Sequence, residues 1–242
     1  MTAPVNIVCM KWGTVYGPHY VNRLYGMVAR QLDLPFRFMC FTDDPEGIDP
    51  KVETAPLPPI TLDAYQDYPW KKLALFNRTL ADLEGTALFL DLDLIVVDRL
   101  EPFFEFEPGK LAIIHNWTHP DRRIGNSSVF RFEIGADPFV LDTFHEHTVQ
   151  HWVDLYRNEQ AFLSNVKTDI VFWPDEWCVS FKRHCLPKGI KRWFVPAKIP
   201  DGAKIVVFHG HPKPDEAFEG RWPGGIHKQL RPARWIGDYW RE

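Results

Sequence analysis

The chain has 242 residues, 45% hydrophobic and 25% charged, a balance that supports one substantial core and argues against extended disorder. Its 28 basic and 32 acidic side chains leave a formal charge of -4, so the broad basic footprint of a nucleic-acid binder is absent. No apolar run approaches the ~20 residues that cross a bilayer, and no transmembrane segment is expected.

Taken in order, "NIVCM" has the apolar, β-branched character of a strand, "KWGTVYGPH" that of a loop, and "YVNRLYGMVARQL" repeats its apolar residues at helical spacing. "FRFMCFT" follows as a second strand and closes at "DDPEG", which makes a β-α-β start. The proline-rich "PEGIDPKVETAPLPPITLDAY" is expected to be a long surface connection, and "WKKLALFNRTLADL" an amphipathic helix. "ALFLDLDLIVV" is too apolar for a solvated face and is expected to be a buried strand, or two short strands broken near its carboxylates. "KLAIIHN" and "SSVFRF" are further strands, "PFVLDTFHEHTVQHWVDLYR" and "EQAFLSNV" helical, and "KIVVFHG" a late strand. Alternating strands and helices predict an α/β fold with a mostly parallel central sheet flanked by helices and ligands at the carboxyl ends of its strands. One domain is expected over 1–242, with 215–242 as an irregular tail packed on the body or serving as a contact surface. Its tryptophans and arginines raise the further idea of peripheral membrane contact. Four cysteines at positions 9, 40, 178 and 185 lie too far apart for a C-x-x-C pair, so a reduced, cytoplasmic protein is expected.

Asp91 and Asp93 are the unusual residues, since an ionised carboxylate in an apolar run must neutralise, pair or bind a metal. Two apart on an extended strand, they project from one face, with Leu92 anchored in the core between them. They can share one divalent cation, and oxygen ligands suit Mg2+ or Mn2+. The alternative is a salt-bridged pair at a strand end.

"ALFLDLDLIVVDRLEPFF" resembles the aspartate-x-aspartate segment of GT-A nucleotide-sugar glycosyltransferases, in particular the family of glycogenin and bacterial lipopolysaccharide galactosyltransferases. Other segments resemble that family in the same order: "WKKLALF", "GNSSVFRF", "NEQAFLSN" and "VVFHGHPKP". The resemblance implies a GT-A glycosyltransferase with a nucleotide-diphosphate donor, a UDP-sugar by analogy, and a glycan, lipid-linked or protein acceptor. It implies Lys72 facing the donor, Asn126 and Ser127 near the donor sugar, and Glu159 with Gln160 at the first two positions of an aspartate-glutamine-aspartate motif. It also implies His209 as the third metal ligand beside Asp91 and Asp93, with Lys213 on the diphosphate. The departures are Ala161 at the third position of that motif, Ser128 where glycine is usual, and a short interval from His209 to Lys213.

Lys213, Gln160 and Asn126 are thus the expected catalytic residues, and Trp12, Gly13, Tyr16, Asp43, Lys72, Leu92 and Ser127 the donor-binding set. Trp12 and Tyr16 can stack on a base or simply pack, Gly13 permits a tight approach, and Asp43 can bond a ribose or serve the turn "TDDPEG". Lys71 and Lys72 are neighbours facing different ways, so one of them is expected to reach the site. His211 is the alternative ligand to His209. His147 and His151 stand four apart and are expected on an exposed or helix-capping face rather than at a metal, while Asp175 and Glu176 lie between Trp173 and Trp177 in a turn or a sugar-stacking surface. A nucleotidyltransferase, a metal-dependent phosphate hydrolase and a non-catalytic sugar-binding module are the rival readings.

Overall fold

A computed structural model describes residues 4–62, 69–225 and 228–242. Strand β1 (Val5–Lys11) leads to helix α1 (Pro18–Gln31), whose first turn carries a proline where its missing N–H costs nothing. α1 buries Tyr20, Val21, Leu24, Met27 and Val28, and the chain returns as β2 (Phe36–Thr42), parallel to β1 from Val5 opposite Phe36 to Lys11 opposite Thr42. The 45–65 connection contains a short strand that the sequence did not announce, β3 (Glu53–Ala55), parallel to β2; residues 63–65 of that connection lie outside the described residues. With three residues and no apolar alternation, only pairing with β2 marks it as a strand.

The helix expected over 70–83 is instead a 3-10 helix, Pro69–Phe76. Trp70, Lys72, Leu73, Ala74, Leu75 and Phe76 are all buried, so the segment is wedged between layers rather than presenting one face, and the Asn77 side chain stops it by donating to the Ala74 carbonyl at 2.8 Å. β4 (Thr86–Leu90) then runs parallel to β1, and β5 (Leu94–Val96) belongs to a different sheet. The break expected near the carboxylates is therefore a crossing from one sheet to another.

Helix α2 (Glu101–Glu105), β6 (Ala112–His115) and β7 (Gly125–Glu133) follow, β7 lying antiparallel between β4 and β6. The single long helix expected over 138–157 is two, α3 (Phe139–Phe144) and α4 (Val149–Tyr156), separated where Thr148 caps α4 by accepting from the His151 N–H. Next come α5 (Glu159–Val166), β8 (Val171–Phe172), β9 (Cys178–Ser180), a π-helical turn at Phe181–Cys185, a 3-10 turn at Gly189–Trp193 and β10 (Ile205–Val207). The order in the main sheet is β3-β2-β1-β4-β7-β6-β8, parallel except on either side of β7, and β5-β10-β9 form a second sheet. Both faces of the main sheet are covered: Ile7 and Cys9 pack toward α1, Val8 and Met10 toward the 69–76 helix and α3 to α5. This explains why β1 and β4 read as continuous apolar runs.

The C-terminal stretch is more regular than expected, with α6 (Pro214–Glu219) and α7 (Ile236–Tyr239). It lies on α1. The Arg23 guanidinium sits 4.0 Å from the centre of the buried Trp240 ring, and Arg30 donates to the carbonyls of Tyr239 and Arg241, each at 2.7 Å. A Cβ at Gly26 would come within 2.6 Å of the Arg241 carbonyl, so glycine permits this approach. Among the described residues no helix is long and apolar enough to cross a membrane.

Candidate active site

The crossing between the two sheets places charge at the carboxyl edge of the main sheet. The Asp91 N–H still bonds to the Ser128 carbonyl (2.9 Å), as a residue of β4 would, whereas the Asp93 carbonyl accepts from the Phe208 N–H (2.9 Å) beyond β10. Leu92, between them, is buried. Lys72 meets Asp91 at 2.7 and 2.8 Å and also approaches the Ser127 carbonyl at 3.3 Å. The Ser127 hydroxyl donates to Glu159 at 2.7 Å, so β4, β7, α5 and the 69–76 helix are tied together around Asp91.

Asp93 is held differently. Its carboxylate accepts the Tyr16 hydroxyl at 2.6 Å and is only 9% exposed. Burial and the charge of Asp91 push its pKa up to about 7, against the Tyr16 bond and the Lys72 and Lys213 charges. Burial and the same Asp93 charge raise the Tyr16 phenol as well, which keeps it a donor. The Lys213 ammonium stands 3.9 Å from the centre of the Tyr16 ring. Beside these groups a cleft of about 170 Å³ is lined by Met10, Trp12, Val15, Tyr16, Asp91 and Leu92. Two carboxylates that repel each other, one of them buried, form a donor set that fits a hard divalent cation.

A larger polar cleft of about 800 Å³ opens at the same sheet edge, because β6 runs parallel to β4 and ends beside the start of β7. Its lining includes Asn116, His119, Arg122, Arg157, Asn158 and Ala161, the last two flanking Glu159 and Gln160.

No family model matches the chain, and no curated protein matches it in sequence. Solved structures do match in shape. An active-site mutant of LgtC superposes with TM-score 0.61 at 13% identity over 96% of this chain and 94% of that one. The galactosyltransferase LgtC in complex with donor and acceptor sugar analogs gives 0.59 at 13% identity over the same shares. The chain has the GT-A glycosyltransferase fold. The bifunctional glycosyltransferase WbbM in its apo form gives 0.59 at 12% identity, over 88% of this chain and 47% of that one.

Within the GT-A fold, the expected residues take different places. Asp91, Leu92, Asp93, Lys72, Ser127, Tyr16 and Lys213 converge as described, although Tyr16 arrives by its hydroxyl on Asp93 rather than as a bare stacking ring. Trp12 lines the small cleft, and Lys71 stands 5.6 Å from the centre of the Trp12 ring. Gly13, at φ 60°, donates its N–H to the Asp43 carboxylate at 2.9 Å, so Asp43 clamps the first loop and also borders a separate open cleft at Thr54–Leu57. Asn126 turns back on its own strand, accepting from the Ser128 N–H at 3.0 Å, and the Gln160 side chain makes no hydrogen bond among the described residues.

His209 stands apart from the carboxylates. Its Nε2 meets the Ser180 hydroxyl at 2.8 Å, its ring stacks on Trp117 with centroids 6.0 Å apart, and its pKa is pulled down to about 4 by burial and then by Lys182, Arg183 and His184. Among the described residues no three His, Cys, Asp or Glu side chains gather closely enough to hold an ion, so this conformation brings Asp91 and Asp93 together without His209. His211, the alternative, is engaged by Glu216 at 2.8 Å. His147 and His151 stack on each other at 4.2 Å on an exposed surface, and Trp173 is buried against Phe103 rather than open to a sugar. The contacts of Ser180 and Trp117 with His209 join residues distant in sequence, and no local pattern announces them.

Proposed function

We propose that this chain transfers a sugar from a nucleotide-diphosphate donor to an acceptor hydroxyl. The observation that carries the reading is the paired Asp91 and Asp93 at the crossing between the sheets, with Asp93 buried against its neighbour's charge. Such an arrangement is unfavourable for the isolated protein and is kept where a cation is to be bound. Asp91 and Asp93 would hold Mn2+ or Mg2+, which when bound supplies Lewis-acid stabilisation of the departing diphosphate.

The protein's own groups divide the remaining work. Trp12, with Lys71 beside it, offers a face for the base. Lys213, which makes no ion pair among the described residues, offers a positive charge to the diphosphate. Lys72 holds Asp91 in place, and the Ser127–Glu159 bond holds the β7 start against α5. In the transfer, the acceptor oxygen forms the new bond to the anomeric carbon, the bond to the diphosphate oxygen breaks, the diphosphate leaves with the bonding electrons and the acceptor proton passes to solvent. The acceptor would enter through the cleft lined by His119, Arg122 and Arg157. A UDP-sugar donor and retention of configuration follow from analogy with the resembling family.

The test is calorimetric titration with nucleoside diphosphates and their sugar conjugates, with manganese and again with chelator. Metal-dependent binding of one nucleotide, lost on Asp93→Ala, is the expected result. Binding that is indifferent to metal and to Asp93 would overturn the metal-dependent reading, and failure of every nucleotide in both conditions would overturn the function. Binding without turnover would move the chain to the sugar-binding class.

A further inference from the structure

Between Glu176 and Asp201 the chain carries six cationic residues, Lys182, Arg183, Lys188, Lys191, Arg192 and Lys198, and no acidic one, although the whole chain has a formal charge of -4. The middle of this stretch is a loop pinned at its base. The Lys198 N–H bonds to the Cys185 carbonyl (3.0 Å), the Trp235 indole donates to the Ala197 carbonyl (3.0 Å), and Leu186 and Ala197 are buried. Its tip is the reverse. Ile190 is 65%, Phe194 71% and Val195 40% exposed, half of the large hydrophobics left open among the described residues, gathered within six positions. Lys188, Lys191 and Lys198 make no side-chain hydrogen bond or ion pair among the described residues.

We propose that this loop docks the protein on a bilayer of anionic phospholipid, with Ile190, Phe194 and Val195 entering the boundary between headgroups and acyl chains and the lysines meeting the headgroup charge. Exposed apolar side chains flanked by Lys188, Lys191 and Lys198 match both layers of such a surface. Nucleic acid would satisfy the lysines and leave the aliphatic groups in water. A second copy would cover the apolar groups but set two cationic segments against each other. The base of the loop is tied beside the larger cleft proposed for the acceptor: Arg183 donates at 3.3 Å to the hydroxyl of Thr118, which lies between the lining residues Asn116 and His119, and Lys182 donates to the His209 carbonyl. A docked molecule therefore holds that site near the membrane surface. The surface assigned to the membrane is this loop and not the C-terminal stretch, whose Trp240 is buried on α1.

The experiment is cosedimentation of the full chain with sucrose-loaded vesicles of phosphatidylcholine alone and of phosphatidylcholine with phosphatidylglycerol. The expected result is pelleting with the phosphatidylglycerol vesicles, weakened by salt, and a drop of about ten-fold or more in the partition coefficient for the Ile190→Ser/Phe194→Ser double variant. Lys188→Gln/Lys191→Gln/Lys198→Gln should abolish the preference for phosphatidylglycerol. All five side chains are exposed, so the variants should keep the wild-type melting temperature. The proposal is overturned if the wild-type chain stays in the supernatant, if both vesicle types bind it equally, or if the apolar double variant pellets like wild type. It is overturned equally if that variant loses self-association in sedimentation velocity, or polynucleotide binding, in place of vesicle binding.

Discussion

The Tyr16 hydroxyl donates to the Asp93 carboxylate at 2.6 Å, and the face of the same ring lies 3.9 Å from the Lys213 ammonium. One side chain from the loop after β1 thus orients a carboxylate from the sheet crossing and a lysine from the start of α6. The bond favours the ionised form of Asp93, the form a metal requires. Tyr16→Phe keeps the ring under Lys213 and deletes the donor. It should weaken Mn2+ binding about 10-fold or more, the usual cost of losing a ligand's outer partner, when measured by titration at neutral pH. An unchanged manganese affinity would show that the bond does not tune the site.

Asp93 is buried beside another carboxylate, and in the metal-free chain that placement costs stability. Asp93→Asn removes the repulsion at nearly constant volume. In chelator at pH 8 the variant should melt above wild type, while manganese should raise the melting temperature of wild type only. A variant less stable than wild type in chelator would mean that the carboxylate is structural.

Much of this arrangement was legible in the sequence where the signal is local. The β1-α1-β2 start, α5 at "EQAFLSNV" and the break within "LFLDLDLIVV" follow from apolar spacing alone. What could not be read were features created by pairing with a distant partner. The three residues of β3 become a strand only beside β2, and the 69–76 helix ends early where the Asn77 side chain bonds to the Ala74 carbonyl. In the site, Asp91 and Asp93 announce themselves as charges in apolar company, while Lys72 is marked only by the family resemblance. Ser180 beside His209 does not announce itself, since the two are far apart in the chain and nothing near either in sequence marks the contact.

Arg131 drew no attention in the sequence, yet it is fully buried on β7. It has no carboxylate partner among the described residues. Instead its guanidinium donates to the carbonyls of Phe103, Phe106, Glu107 and Lys110, closing the end of α2 and the turn after it. Replacement leaves the buried Phe103 carbonyl without its donor, a loss of about 1–3 kcal/mol, and removes bonds to three partly buried carbonyls that water can in part replace. Arg131→Met should therefore lower stability by about 3 kcal/mol in urea unfolding. Its distance in sequence and contact from Asp91 means that donor affinity, where the fold is retained, should stay within about two-fold of wild type, a change of less than 1 kcal/mol.

The four cysteines are all free and buried. Burial, chiefly, holds the Cys9 and Cys178 thiols well above their usual range and pushes Cys185 up to about 12. A thiol is an acid, so a raised value in the fold means that the unfolded chain loses its proton first as pH rises. The folded state then binds more protons than the unfolded state, and stability falls with increasing pH. That loss should begin near pH 9, where thiols of the unfolded chain ionise, and deepen as Tyr16 and Tyr20, also raised by burial, begin to titrate in the unfolded chain near pH 10. Below pH 8 these groups should contribute no slope. Melting temperatures recorded from pH 7 to 11 test the sign, and the thiol reagent test is independent of it: native protein should resist iodoacetamide at pH 8 and react fully only in denaturant. Rapid labelling of the native chain would mean that at least one thiol opens to solvent without global unfolding.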